Sequence, residues 1–293
     1  MKLSNNLEKL KKFIEREEDP DEIIPNALEC GYDGDYEEAL EILDRGTYLF
    51  SNELDDSETK ARLWELKARA YVELNLPEEA FDAIEKAIEF DKNEAILWLE
   101  KAEILSELKK DSEAVSAINN AIKLAPKQIK DELILVKAYY LGLVNKHKEA
   151  LDNYNEFLEK NPDEVGALLG KSEELLALGE EKDALKAVEA GLKLEPIDLE
   201  LLSQKGIVLL DLNNFEESLD CFEKCLEIDS ADELLWYNKA CILSLLDKKE
   251  DALDALTVAI SLDEENVTWA KDEQDFDNIK DTKQFTRLIA QAI

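Results

Sequence analysis

Small and apolar residues return along this chain at a fixed interval. Setting residues 61–94 above 95–128 places Trp64 on Trp98, Ala68 on Ala102, Ala80 on Ala114, Ile84 on Ile118 and Ala87 on Ala121, so one 34-residue unit is followed by its near-duplicate. Beyond Ala114 the same anchor steps by 36, 34, 34 and 34 residues to Ala150, Ala184, Ser218 and Ala252. Pro126, Pro162 and Pro196 keep that spacing, and Trp98 and Trp236 lie 138 residues apart, four periods plus one two-residue insertion. Independent residue types agree on one register. Self-similarity of this kind marks a stacked array of helical units.

The register places units at 61–94, 95–128, 131–164, 165–198, 199–232 and 233–266. A less regular first unit fits 20–53 on Ala39, with Tyr36 and Leu43 on its second helix. Pro25 is expected to shorten its first helix, since proline is tolerated in a first turn and disruptive further in. From Ala39 to Ala80 is 41 residues, seven more than the period, and the polar residues at 54–60 read as a linker and hinge. Leu3, Leu7, Leu10 and Ile14 recur at helical spacing, predicting an amphipathic helix over 4–17, so residues 1–19 are expected to cover the first unit's open end. At the other end, 267–293 carries Trp269, Phe276, Ile279, Phe285 and Leu288 on two helical faces, and is expected to cap the array.

At these residues the sequence resembles the tetratricopeptide repeat: an aromatic at the fourth position, small residues at the eighth, twentieth and twenty-seventh, and a proline near the thirty-second, here Pro126. The resemblance implies an all-α fold, a right-handed α-solenoid of stacked antiparallel helix pairs. In that family the first helix of each unit lines a concave groove, with positions 2, 5, 9 and 12 pointing into it. Carried over unit by unit, the groove residues are Arg62, Glu65, Arg69 and Val72, then Ile96, Leu99, Glu103 and Ser106, then Glu132, Leu135, Tyr139 and Gly142. The later units give Gly166, Leu169, Glu173 and Leu176, then Glu200, Ser203, Ile207 and Leu210, and last Leu234, Tyr237, Cys241 and Ser244. For a chain that is 36% charged this set is rich in Leu, Ile and Tyr, the mark of a binding surface. Gly142, Gly166 and Gly170 are expected to widen its middle. The family's clamp for acidic chaperone C-termini needs cations and asparagines where this chain has Ile24, Leu28, Leu66, Ile96 and Glu100, so such tails are not expected as partners.

Charge narrows the partners further. The formal net charge is −35, from 70 acidic against 35 basic residues. A field of that sign repels phosphate backbones, and the densest basic run, Lys9, Lys11 and Lys12, is short, so nucleic acid is not expected. No apolar run approaches the roughly 20 residues of a membrane helix, and 1–10 lacks a signal-peptide core. The four cysteines, Cys30, Cys221, Cys225 and Cys241, form no Cys-x-x-Cys pair, which points to a reducing, cytoplasmic setting.

Candidate chemistry is thin. The one histidine, His147, reads as a solvated turn residue with no carboxylate partner. Cys225 takes a slot held elsewhere by alanine, so packing explains it better than zinc binding, and no cofactor or metal is expected. The function expected is therefore a non-catalytic interaction scaffold, a monomer or weak homodimer, that holds a neutral or basic peptide segment with apolar anchors. The contacts expected are Arg69, Leu99, Glu103, Glu132, Leu135, Tyr139, Leu169, Glu173, Leu176, Ile207, Leu210 and Tyr237. The competing reading is a structural scaffold that assembles with itself through its terminal helices or the groove.

Overall fold

The structure, a computed structural model, describes residues 20–52 and 56–291. The expected N-terminal helix lies outside these residues. Among them are 16 α-helices and no strand. They follow one another as antiparallel pairs: α1 (Pro20–Asp33) with α2 (Tyr36–Leu49), α3 (Ser57–Glu73) with α4 (Pro77–Phe90), and α5 (Ala95–Glu107) with α6 (Asp111–Leu124). Then come α7 (Lys130–Leu143), α8 (His147–Lys160), α9 (Val165–Ala177), α10 (Glu181–Leu194), α11 (Leu199–Asp211), α12 (Phe215–Ile228), α13 (Glu233–Leu245) and α14 (Lys249–Leu262). The short α15 (Asn266–Asp272) and α16 (Lys283–Gln291) follow. The chain divides into two compact halves, Met1–Asn145 and Lys146–Ile293, with the division falling between α7 and α8.

Why the chain turns where it does is visible in its backbone. A residue with positive φ sits between the two helices of every pair: Gly34, Asn75, Lys109, Asn145, Gly179, Asn213 and Asp247. Their spacing is 41, 34, 36, 34, 34 and 34, the same steps as the alanine anchors. Left-handed residues end helices by turning the chain out of the helical path, and Gly and Asn do so at least strain. The small anchors sit one turn into each second helix and are fully enclosed: Ala80, Ala114, Ala150, Ala184, Ser218 and Ala252 have no exposed surface. Where the anchor is serine, its hydroxyl donates to Gly206 O at 2.7 Å across the pair, so the polar atom is not left unpartnered.

Two expectations change. Pro25 lies inside α1, which is a full 14 residues. The carbonyl its ring deprives of a partner, that of Asp21, belongs to the first turn, near the helix end, so the helix survives. The expected linker over 54–60 is mostly helix: α3 begins at Ser57, and Asp56 caps it by accepting from Thr59 N at 3.1 Å. Asp56, which read as part of a hinge, is a capping residue.

A row of lysines ties successive pairs. Lys101 reaches Glu85, Lys205 reaches Glu189 at 3.0 Å, Lys239 reaches Glu223 at 2.9 Å, and Lys67 reaches Asp44. Three of these lysines also cover the position-four aromatics, which are half-buried rather than enclosed: Lys67 lies 4.3 Å from the Trp64 ring, Lys101 5.3 Å from the Trp98 ring and Lys239 5.5 Å from the Trp236 ring. Trp98 and Trp236 also donate to Lys92 O and Ser230 O, each at 3.0 Å, which fixes the ring to the preceding inter-pair turn.

Candidate functional site

In the first half, α3, α5 and α7 carry six of the twelve expected contacts. Leu99 and Leu135 are half-buried, Glu103 and Glu132 are exposed, and Tyr139 is 56% exposed with its ring 5.6 Å from that of the buried Tyr140. Arg69 is not a free cation. Its guanidinium bonds Glu65 Oε1 at 2.7 Å and Glu100 Oε1 at 2.6 Å, and Arg62 also holds Glu65 at 2.6 Å.

These acids outnumber the cations beside them. Burial, then the charge of Glu65, pushes the Glu100 carboxyl up from 4.5 to about 7 despite Arg69. Its second oxygen, Oε2, is buried without a hydrogen-bond partner. Partial burial also raises the Glu103 carboxyl, with Glu107 adding to it. A cavity of about 310 Å³ opens among Arg69, Val72, Glu73, Glu100, Glu103 and Glu107. Sequence reasoning placed only Arg69, Val72 and Glu103 on this face. Glu73, Glu100 and Glu107 lie beside the four positions carried over, and their charge was the available signal.

In the second half, Leu169 on α9 is half-buried and Glu173 is exposed, with its carboxyl raised by partial burial and then by Glu174 and Glu200. Leu176 packs against the core of Leu175, Ala184, Ala187 and Val208, and Ile207 and Leu210 pack against the core around Phe222. These three give part of their surface to packing.

Tyr237 is a correction. It is buried, and its ring meets Phe276 at 5.5 Å and Trp269 at 6.0 Å, both edge-on. Cys241 and Ser244, at the next two inner positions of α13, are buried as well. Asn278 Nδ2 donates to Ser244 O at 2.9 Å. The segment after α14 thus lies on the surface that position counting assigns to a ligand. The side chains that do this, Trp269 and Phe276, were legible as apolar, but not the surface they cover.

Two further expectations fail. Gly170 opens no space: a Cβ there meets the Tyr154 ring at 2.4 Å, so the missing side chain admits an aromatic from α8. His147 is half-buried at the start of α8, and its Nδ1 lies 2.8 Å from Oε2 of the buried Glu174. Adjacent antiparallel helices bring the two together across 27 residues of sequence.

Among the described residues no group of His, Cys, Asp and Glu is arranged to hold a metal ion. Cys225 is fully buried, and burial pushes its thiol up to about 11, so it stays protonated and inert. No described helix is long and apolar enough to cross a membrane.

Among curated proteins, none matches the sequence at a significant level. Solved structures match its fold. A tetratricopeptide repeat protein from Parabacteroides merdae superposes with a TM-score of 0.69 at 14% identity, covering 93% of this chain and 98% of that one. The C-terminal part of a TPR repeat-containing protein from Cytophaga hutchinsonii gives 0.63 at 14% identity, covering 88% and 99%. A chain of the APC/C hetero-tetramer Cut9–Hcn1 gives 0.60 at 13%, covering 88% of this chain and 52% of that one. The family model for the tetratricopeptide repeat matches residues 61–94, 95–128, 199–232 and 234–266. With helix pairs, small enclosed anchors and four matched stretches in one register, residues 61–94, 95–128, 199–232 and 234–266 are tetratricopeptide repeats.

Proposed function

We propose that this protein is a non-catalytic scaffold whose first-helix faces hold a neutral or basic peptide segment with apolar anchors. The observation that carries the reading is the pairing of accessible apolar groups with carboxylates that lack enough cations. Tyr139 is 56% exposed and Ile96 38%, while Glu100, Glu103 and Glu173 all have raised carboxyl pKa values. A cationic partner removes that mutual repulsion, and its apolar side chains cover Leu99, Leu135 and Tyr139 on the first half or Leu169 on the second. Glu132 and the other exposed acids steer its approach.

The test is a quantitative pull-down from native lysate at low and moderate salt. It compares the wild type with two folded variants, Tyr139→Glu and Leu135→Glu, Leu169→Glu, whose helicity is checked by circular dichroism. Proteins lost with both variants, and recovered less well at moderate salt, support the reading. A list that neither variant changes removes the site from these faces. Binding that strengthens with salt rejects its electrostatic half.

A further inference from the structure

Two cavities meet on the first half of the chain. One, of about 290 Å³, is lined by α1, α2 and α3, with Leu28, Tyr32, Tyr36, Leu43, Leu66 and Ala70 supplying an apolar wall. It is open: Tyr32 is 88% exposed, and a Cβ on Gly31 would meet no atom within 4 Å. The other is the carboxylate-lined cavity between α3 and α5, and Arg69 and Glu73 belong to both. An apolar cavity therefore adjoins one lined by four carboxylates and a single guanidinium. That guanidinium is already committed to Glu65 and Glu100, while Glu100 Oε2 has no partner. The pair fits a segment that carries ammonium groups next to apolar side chains.

Such a segment stands in the same sequence. Residues 9–13 read Lys-Leu-Lys-Lys-Phe, the densest basic run in a chain of net charge −35, and Leu3, Leu7, Leu10 and Ile14 recur around it at helical spacing. It is tethered close by. Phe13 precedes Pro20, the first residue of α1, by seven residues (20 − 13), and a stretch of that length spans up to about 24 Å. The 14 residues of α1 are about 21 Å long, so the tether covers the distance to the Leu28–Tyr32 end. A short tether also sets an effective concentration in the millimolar range, so even a weak contact is populated.

We propose that residues 4–13 dock in cis into this paired groove, with Lys9, Lys11 and Lys12 against the Glu73, Glu103 and Glu107 carboxylates and Leu10 in the apolar cavity. The proposal goes beyond the peptide-binding reading and needs no outside partner. Its consequence for that reading is competition: a peptide arriving at α1, α3 and α5 must displace the chain's own segment.

The test is zero-length carbodiimide cross-linking of the full chain, as an equal mixture of unlabelled and ¹⁵N-labelled protein, mapped by mass spectrometry. The expected products join Lys9, Lys11 or Lys12 to Glu73, Glu100, Glu103 or Glu107 within one isotopic form. Leu10→Asp leaves every reacting group in place and is expected to lower their yield at least fivefold, as is 0.5 M NaCl. Products that join light to heavy chains assign the groove to a second copy and overturn docking in cis. Products at other carboxylates, none at all, or yields indifferent to Leu10→Asp overturn the proposal outright. Since no partner is present, such failure leaves the pull-down result untouched.

Discussion

At the scale of single residues, the position between the helices of each pair is held left-handed by Gly or Asn at five of its seven occurrences, with Lys109 and Asp247 the exceptions. A lysine there carries a Cβ strain of roughly 1–2 kcal/mol that glycine does not, offset in part by the glycine's greater freedom when unfolded. Lys109→Gly is therefore expected to raise stability by about 0.5–1 kcal/mol, read as a higher urea midpoint at unchanged slope; a fall would show that Lys109 is not strained. Glu100 gives a prediction in pH. Its carboxyl titrates at about 7 in the fold against 4.5 in the unfolded chain, so between those values the folded state holds more protons and stability falls as pH rises. Glu100→Gln has no such cost. Relative to wild type it is expected to gain on the order of 2 kcal/mol at pH 8 and to lose that gain near pH 4.5. Equal differences at both pH values, from thermal melts, would remove the uncompensated carboxylate from the account. Neither feature was plain in the sequence: the register aligns Gly34, Asn75 and Lys109 in one column, but only backbone angles show what the column demands.

At the scale of elements, the repeat was legible because its strongest signals, enclosed alanines and position-four aromatics, depend on one local contact repeated many times. What escaped was set by contacts outside the period. Asp56 and Ser57 read as linker because a capping aspartate and a loop aspartate look alike in sequence. Tyr237 read as a ligand contact because positions 5, 9 and 12 of a terminal repeat match those of an interior one, although the segment after α14 covers them. Phe276 is the centre of that cover: fully buried, 5.5 Å from Tyr237 and 6.1 Å from Phe285. Phe276→Ala is expected to cost about 3–5 kcal/mol, as for other buried phenylalanines. It should also speed amide exchange first in α13 and the segment after α14, because a stacked array loses its end before its interior. Exchange that accelerates equally in the α3–α6 repeats would mean that the cap stabilises the chain as a whole rather than its own neighbour.

At the scale of the whole molecule, the governing fact is 70 acidic residues against 35 basic ones. The local ion pairs, such as Lys205–Glu189 and Lys239–Glu223, are partly exposed and individually worth little. Most of the electrostatic free energy is then repulsion spread over the surface, which destabilises the compact state. Added salt shortens the Debye length from about 30 Å at 0.01 M to about 3 Å at 1 M, and so screens repulsion between repeats sooner than it weakens a contact pair. The folded chain is accordingly expected to melt several degrees higher in 0.5 M NaCl than in 0.01 M NaCl, with potassium chloride giving the same shift as the sodium salt. The acids that destabilise the fold also draw in a basic ligand, so salt is expected to slow association with a basic peptide while it stabilises the protein. Opposite signs for the two effects, measured by thermal melts and by stopped-flow association with the same preparation, follow from one excess of carboxylate. A melting temperature that falls with salt would mean that specific ion pairs outweigh the net charge, and the acidic faces would then be part of the fold's own support rather than a surface held open for a cation.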